Sequence, residues 1–274
     1  MRISARTTWS LRAVALVYLA LLLLLPLGVV FERTFAHGIA TAWSYVTTPA
    51  AISAFWLTVV IAAIAVPLNT IFGVGCALVL VRGRARGRAL LDALIDLPFA
   101  VSPVIVGLAL ILVYGQSGWF GRWFADHGIR IIFATPGMVL ATVFVSIPFV
   151  VREVAPVLIE VGEEQEQAAA TLGASNWQTF WRVTLPAIRW GVAYGVVLTT
   201  ARSLGEIGAV LVVSSNVLGS TVTLPLLVYD RDQQVGSAAS TGAYAAATEL
   251  AVMSLAVLLV MTLLGSRKAS TATR

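Results

Sequence analysis

Between Arg33 and Arg82 the chain carries no Asp, Glu, Lys or Arg, and a second uncharged run covers Ala13 to Phe31. Such runs constrain the fold more than any other feature. An α-helix needs about 20 apolar residues to cross a bilayer core of roughly 30 Å, and the runs are continuous where a β-barrel strand would alternate. With 59% apolar and 11% charged residues, the composition lies far outside that of soluble globular domains. An all-α membrane protein is expected.

Six transmembrane helices are predicted, near Leu11–Phe31, Ile52–Val81, Leu97–Tyr114, Ile131–Val151, Trp190–Val213 and Ala243–Gly265. The second is too short for two crossings and long enough for one tilted or protruding helix. The first follows Arg2, Arg6 and Arg12. It exceeds the usual apolar region of a signal peptide and no small-x-small cleavage site follows, so a retained helix is expected. With the N-terminus in the cytoplasm, thirteen of the 18 basic residues lie inside, Arg33, Arg122, Arg130 and Arg231 lie outside, and Arg202 falls within the fifth span. That bias predicts that both termini are cytoplasmic.

The same clustering at span ends accounts for a pI near 9.9 without nucleic acid, and RGRARGR (Arg82 to Arg88) reads as a topology anchor. Membrane lipids are the expected surroundings. Cys76 is the one cysteine, so a disulfide or a cysteine metal cluster is not available. With no repeat, low-complexity segment or linker, residues 1–274 are expected to form a single membrane domain.

Under this topology residues 152–189 face the cytoplasm. Glu160, Glu163, Glu164 and Glu166 precede an Ala-rich run, Gln167 to Leu172, which suits a short helix with acids at its positive end. Gly173 suits the left-handed residue that ends it. Ser175 and Gln178 have capping-box spacing, and Trp177, Phe180, Trp181 and Thr184 share one face of a second helix. Pro186 suits the first turn of the fifth span. Two readings fit this helix–turn–helix: an amphipathic hairpin on the membrane surface, or a docking knob. In the second, Ala168, Ala169, Gly173 and Ala174 admit a partner backbone, and Trp177 and Phe180 are anchors.

The loop resembles the EAA loop of ABC importer permeases: E-A-A, three residues, G-A, then a hydrophobic segment ending L-P. The matching positions are Gln167, Ala168, Ala169, Gly173, Ala174, Leu185 and Pro186. Gln167 departs from the family's Glu, with Glu166 adjacent. DLPFAVSPVIVGL (Asp96 to Leu108), PGMVLATVFVSIPFVVREV (Pro136 to Val154) and GVVLTTARSLGEIGAV (Gly195 to Val210) resemble the sulfate/thiosulfate branch, and its W-type permeases more than its T-type. The resemblance covers roughly residues 11–265.

It implies a type I importer permease fold with a cytoplasmic coupling helix, in which residues 163–186 seat in a cleft of an ABC ATPase subunit. Glu166, Gln167, Ala168, Ala169, Gly173, Ala174, Trp177 and Phe180 would then make the contact. It also implies a second, T-type permease subunit, a periplasmic or lipid-anchored sulfate-binding protein, and the bacterial inner membrane. A permease for another oxyanion such as molybdate, or one working as a homodimer, would have the same architecture. A secondary transporter would show ion-coupling acids or an inverted repeat and would leave the loop unexplained.

The sequence has no G-x-x-x-x-G-K; Lys268 is its single lysine and lies in the C-terminal tail. ATP and Mg are therefore expected on the partner ATPase, with no cofactor in this chain. His37 and His127 fall in external loops, and no H-E-x-x-H or G-x-S-x-G occurs. No catalytic or metal-binding residue is expected.

Charges at bilayer depth are costly. Arg202 and Glu206, one helical turn apart, read either as a self-neutralising pair that fixes packing or as part of the anion route or its gate, together with Ser102. Ala201, Gly205 and Ala209 form an expected small-residue stripe on the fifth span, and Glu249 stands alone in the sixth. Pro98, Pro103, Pro136 and Pro148 are each expected to free a carbonyl, with Ser102 and Ser146 as candidate donors to them. They signal packing kinks, or a broken helix whose N–H groups face an oxyanion. Asp96, at the membrane boundary, is assigned a structural or inter-subunit role.

Overall fold

A backbone at membrane depth has no water to satisfy its N–H and C=O groups, and helices satisfy them internally. The structure, a computed structural model, describes residues 5–83, 87–234 and 236–270, and every regular element among them is helical. Helices α1 (Ala5–Phe35) and α2 (Ile39–Val46) lead into α3 (Pro49–Arg82), followed by α4 (Arg88–Ala100), α5 (Pro103–Tyr114), α6 (Gly121–Asp126) and α7 (Thr135–Val161). Two short helices, α8 (Glu164–Thr171) and α9 (Asn176–Thr179), fill the loop, and a π-helical turn (Phe180–Thr184) joins α9 to α10 (Leu185–Leu204). The chain closes with α11 (Gly208–Val213), α12 (Leu224–Asp232) and α13 (Ser237–Ser270). Arg84 and Arg86 of the expected topology anchor, Arg2 and Arg274 lie outside the described residues.

Four helices among the described residues are long and apolar enough to cross a membrane: Leu11–Phe35, Pro49–Arg82, Thr135–Val161 and Ala239–Met261. The other two expected spans are broken. The third divides into α4 and α5, bent by 114°, with Val101 and Ser102 extended. Pro103 is the cause, since the residue before a proline is pushed out of the α region and Pro itself suits the first turn of a new helix. The fifth ends at Leu204 and restarts at Gly208. Gly205 closes α10, so the expected stripe of Ala201, Gly205 and Ala209 does not lie on one helix. Small residues act elsewhere: a Cβ on Gly208 would lie 2.9 Å from Pro103 Cβ, and one on Gly107 2.9 Å from the Ala209 carbonyl, so α5 and α11 meet nearly backbone to backbone.

The core forms around α3, α7 and α10, with α3 and α7 the most extensive pair. Two glycines press on one valine: a Cβ on Gly73 would sit 2.6 Å from Val150 Cβ, and one on Gly195 2.9 Å from Val150 Cα. Asn69 is fully buried and donates through Nδ2 to the Val143 carbonyl at 3.1 Å and to Ser146 Oγ at 2.9 Å. The Ser146 hydroxyl itself donates to the Thr142 carbonyl, not to the Phe144 carbonyl that Pro148 frees. Pro136 frees no carbonyl, because it stands in the first turn of α7.

On the opposite end of the molecule from α8, Arg231 of α12 donates to the Gly242 carbonyl at 2.9 Å and to Thr48 Oγ1 at 3.1 Å, tying α12 to α13 and to the start of α3. Burial lowers its pKa, with Glu249 and Tyr45 opposing. Helix α1 packs along α13 and α2, and no residue of its apolar window is buried within the chain.

Candidate functional site

The loop after α7 is built by local rules. Glu164 and Glu166 occupy the first turn of α8, where the helix dipole favours them. Two bonds close the helix: Gly173 N–H to the Ala170 carbonyl and Ala174 N–H to the Ala169 carbonyl, each 3.0 Å. This is a Schellman motif, and Gly173 has the required positive φ of 82°. Ser175 and Gln178 then form a reciprocal capping box at the start of α9, with bonds of 3.3 and 3.0 Å.

Downstream, Trp177, Phe180 and Trp181 form one aromatic cluster, with centroids 5.4 to 6.3 Å apart. Trp177 is 70% exposed and Leu172 89%. Gln167, Ala168 and Gly173 are also exposed, while Glu166, Ala169, Ala174 and Phe180 are half-buried. Around a Cβ placed on Gly173 there is nothing within 4 Å. The tip of the loop is an exposed surface of small and aromatic residues.

Pro186 stands in the first turn of α10, as the sequence predicts, and the helical backbone already runs into it from Asn176. A proline ring collides with the carbonyl four residues back in an α-helix, here that of Arg182. The π turn immediately before α10 inserts the extra residue that relieves this conflict.

Arg82, which the sequence reading treats only as a topology anchor, holds the loop to the bundle. Its Nε donates to Glu166 Oε2 at 3.1 Å, its Nη2 to the Gly162 carbonyl, and its Nη1 lies 4.0 Å from Glu163 Oε1. Glu166 Oε1 accepts from Thr184 Oγ1 at 2.9 Å. One carboxylate thus joins α8 to the end of α3 and to the π turn below α10. No short-range signal pairs Arg82 with Glu166; the nearest clue is that Glu166 stands beside the family's usual Glu position.

Deeper in the bundle, Arg202 Nη2 lies 2.7 Å from Glu206 Oε2. The contact is an ion pair that neutralises the carboxylate, and Oε2 accepts no hydrogen bond. Glu206 Oε1 accepts from Ala209 N–H at 2.9 Å, capping α11 and stabilising the break. Exposure is unequal: 30% for the Arg202 side chain and 2% for that of Glu206. Arg202 continues a stripe with Tyr194 and Leu198, 63% and 41% exposed. Ser102, exposed, is the N-cap of α5 and has no side-chain capping bond. Pro103 beside it abuts Gly208, so the start of α5 and the α10–α11 break adjoin.

Asp96 accepts from Arg152 Nε at 2.8 Å, and Asp92 from Arg152 Nη2 at 2.9 Å. This clamps α4 to α7. Among the described residues no three His, Cys, Asp or Glu side chains gather as a metal site requires.

A model of the family described as "Binding-protein-dependent transport system inner membrane component" matches residues 69–270. The chain is 50% identical over 262 residues to the "Sulfate transport system permease protein CysW" of Synechocystis sp., covering 96% of this chain and 94% of that one. Identity is 45% to the Escherichia coli protein of the same name, covering 90% and 85%. It is 39% to the "Sulfate transport system permease protein CysT" of Synechocystis sp., covering 92% and 85%. Among solved structures, a chain of a bacterial ABC transporter involved in alginate import matches with TM-score 0.78 at 18% identity, covering 96% of each chain. A chain of the MetNI methionine ABC transporter matches with TM-score 0.59 at 15% identity, covering 81% of this chain and 96% of that one. At such identities the likeness is one of fold.

Proposed function

This chain belongs to the family of binding-protein-dependent transport system inner membrane components, and from that premise we propose that it is a transmembrane subunit of an ATP-driven importer bringing sulfate into the cell. It has the fold of type I importer permeases. The observation that carries the substrate is the near-full-length identity to relatives named as sulfate permeases. Thiosulfate, which the resemblance adds, is the second expected substrate.

Coupling is assigned to residues 163–186. The exposed tip around Gly173 and Trp177 fits a cleft in a cytoplasmic ATPase, which would hold ATP and Mg. The Arg82–Glu166–Thr184 bonds make the tip continuous with α3 and α10, so that force applied to the tip reaches the bundle. Arg202, partly exposed and with its charge balanced by Glu206, is the residue assigned to the anion route, with Ser102 nearby. A paired guanidinium suits a route, because it offers hydrogen bonds without holding the anion as tightly as an unpaired charge would.

A second permease subunit is the assigned neighbour of the uncovered faces of α1, α5 and α10, and the match to a T-type relative supports a heterodimer. A binding protein delivers substrate at the outer face. The single membrane domain is placed in the inner membrane with both termini in the cytoplasm. Uptake of radiolabelled sulfate in cells lacking this chain, with molybdate, phosphate and thiosulfate as competitors, tests the reading. Unchanged sulfate uptake, or competition by molybdate alone, rejects the substrate.

A further inference from the structure

The α10–α11 break encloses a small polar cavity of about 10 Å³, walled by Thr58, Thr142, Ser203, Glu206 and Thr223 together with apolar neighbours. All five polar side chains are more than nine-tenths buried. Two of the hydroxyls have given their protons away: Thr58 Oγ1 to the Ala54 carbonyl at 2.8 Å and Thr142 Oγ1 to the Met138 carbonyl at 2.9 Å. The other three groups are unsatisfied, since Ser203 Oγ, Thr223 Oγ1 and Glu206 Oε2 have no hydrogen-bond partner. Thr223 stands at the N-cap of α12 without capping it.

We propose that this cavity is a binding site for a single water molecule. Its volume is that of one water, and such a site needs two to four polar partners. The Ser203 and Thr223 hydroxyls donate to the water, which donates one proton to Glu206 Oε2 and the other to the free lone pair of Thr142 Oγ1. Every unsatisfied atom on the wall is then paired, as buried polar groups require.

Oxygen ligands of this kind also suit a small hard cation. Electrostatics decide against one here. Arg202 Nη2, 2.7 Å from Glu206 Oε2, already neutralises the carboxylate, so an added cation would be an uncompensated buried charge facing a guanidinium. A neutral ligand adds no charge.

The water joins α7, the end of α10, the break and the start of α12. It lets the break change angle while the buried carboxylate keeps a hydrogen-bond partner, because a water can exchange neighbours where a fixed side chain cannot. This assignment is independent of which anion is carried.

The test is a structure of the assembled transporter at a resolution that shows ordered solvent, paired with hydroxyl-radical footprinting in heavy-oxygen water. Expected are density within hydrogen-bond distance of Glu206 Oε2, Ser203 Oγ and Thr223 Oγ1, and slowly exchanging label on Leu204 or Pro225. Thr223→Val, which replaces the hydroxyl with a methyl group of similar size, should lose both signals. A dry cavity with the Ser203 and Thr223 hydroxyls turned onto backbone carbonyls overturns the proposal, as does density that follows sodium concentration. If the variant fails to assemble, the two wild-type measurements decide alone.

Discussion

Arg82 Nε donates to Glu166 Oε2 at 3.1 Å, linking residues 84 positions apart. The two side chains are 17% and 22% exposed, so the bond is partly shielded from water and stronger than a surface pair. Glu166→Ala removes the acceptor for both Arg82 and Thr184, and the expected local loss is about 1.5 to 3 kcal/mol. Hydrogen exchange in α8 should quicken in the isolated subunit, and sulfate imported per ATP hydrolysed should fall. Gln167→Ala, at an exposed position, should leave α8 exchange unchanged and act only in the assembled transporter. Equal exchange in the two variants would show that Glu166 does not brace the loop.

Gly173 separates backbone strain from surface blockage. Its φ of 82° is tolerated by Asn but costs a residue such as Leu about 1 to 2 kcal/mol. Both side chains would project into the open space at the tip. Gly173→Asn should therefore keep the turn and weaken ATPase association, whereas Gly173→Leu should lose association and uptake while still inserting into the membrane. Co-purification of the ATPase reads the first effect and labelled sulfate the second. Normal uptake in Gly173→Leu rejects the coupling role.

Asn69 is the one carboxamide in the uncharged run between Arg33 and Arg82, and it bridges α3 to α7. Asn69→Leu strips a donor from the Val143 carbonyl and from Ser146 and forces a branched side chain into a fully buried position. The expected cost is about 1 to 3 kcal/mol for each of these two effects. Thermal unfolding in detergent should show a clear drop in Tm; an unchanged Tm would mean that water or a shifted side chain replaces the bridge.

Glu206 has two tasks that substitution can divide. Glu206→Gln retains an oxygen for the Ala209 N–H but leaves Arg202 without its counter-charge; Glu206→Ala removes both. Breaking a fully buried pair costs on the order of 3 kcal/mol, and this one, with Arg202 30% exposed, costs less; stability should fall in the order wild type, Gln, Ala. Equal stability of the two variants would show that capping α11 contributes nothing.

Helices were legible in the sequence where an apolar run is long and ends in arginine, and the loop was legible where its rules are local. Gly173, Ser175 and Gln178 stand within a few residues of everything they bond. The break at Val101 was not legible from hydropathy, because the residues around it stay largely apolar; the signal there was Pro103, whose ring reshapes the residue before it, and at the second break it was Glu206, whose carboxylate caps a restarting helix. Arg82 and Glu166, 84 positions apart, are brought together by the tertiary packing of the bundle. A charge count cannot distinguish an arginine that anchors topology from one that reaches across to a neighbouring loop.

From Asn176 to Leu204 the helical backbone is uninterrupted, and where Gly191 and Gly195 cross α7 the backbones nearly touch. A rod pivoting at that crossing would be a lever. Its inner arm, Asn176 to Gly191, is roughly 22 Å and its outer arm, Gly195 to Leu204, roughly 14 Å, at 1.5 Å per residue. A sideways travel of the aromatic tip would then reach the far end reversed in direction and reduced to about three fifths, with the force enlarged in proportion. Such a pivot would trade distance for thrust at the place where the rod stops, beside Arg202.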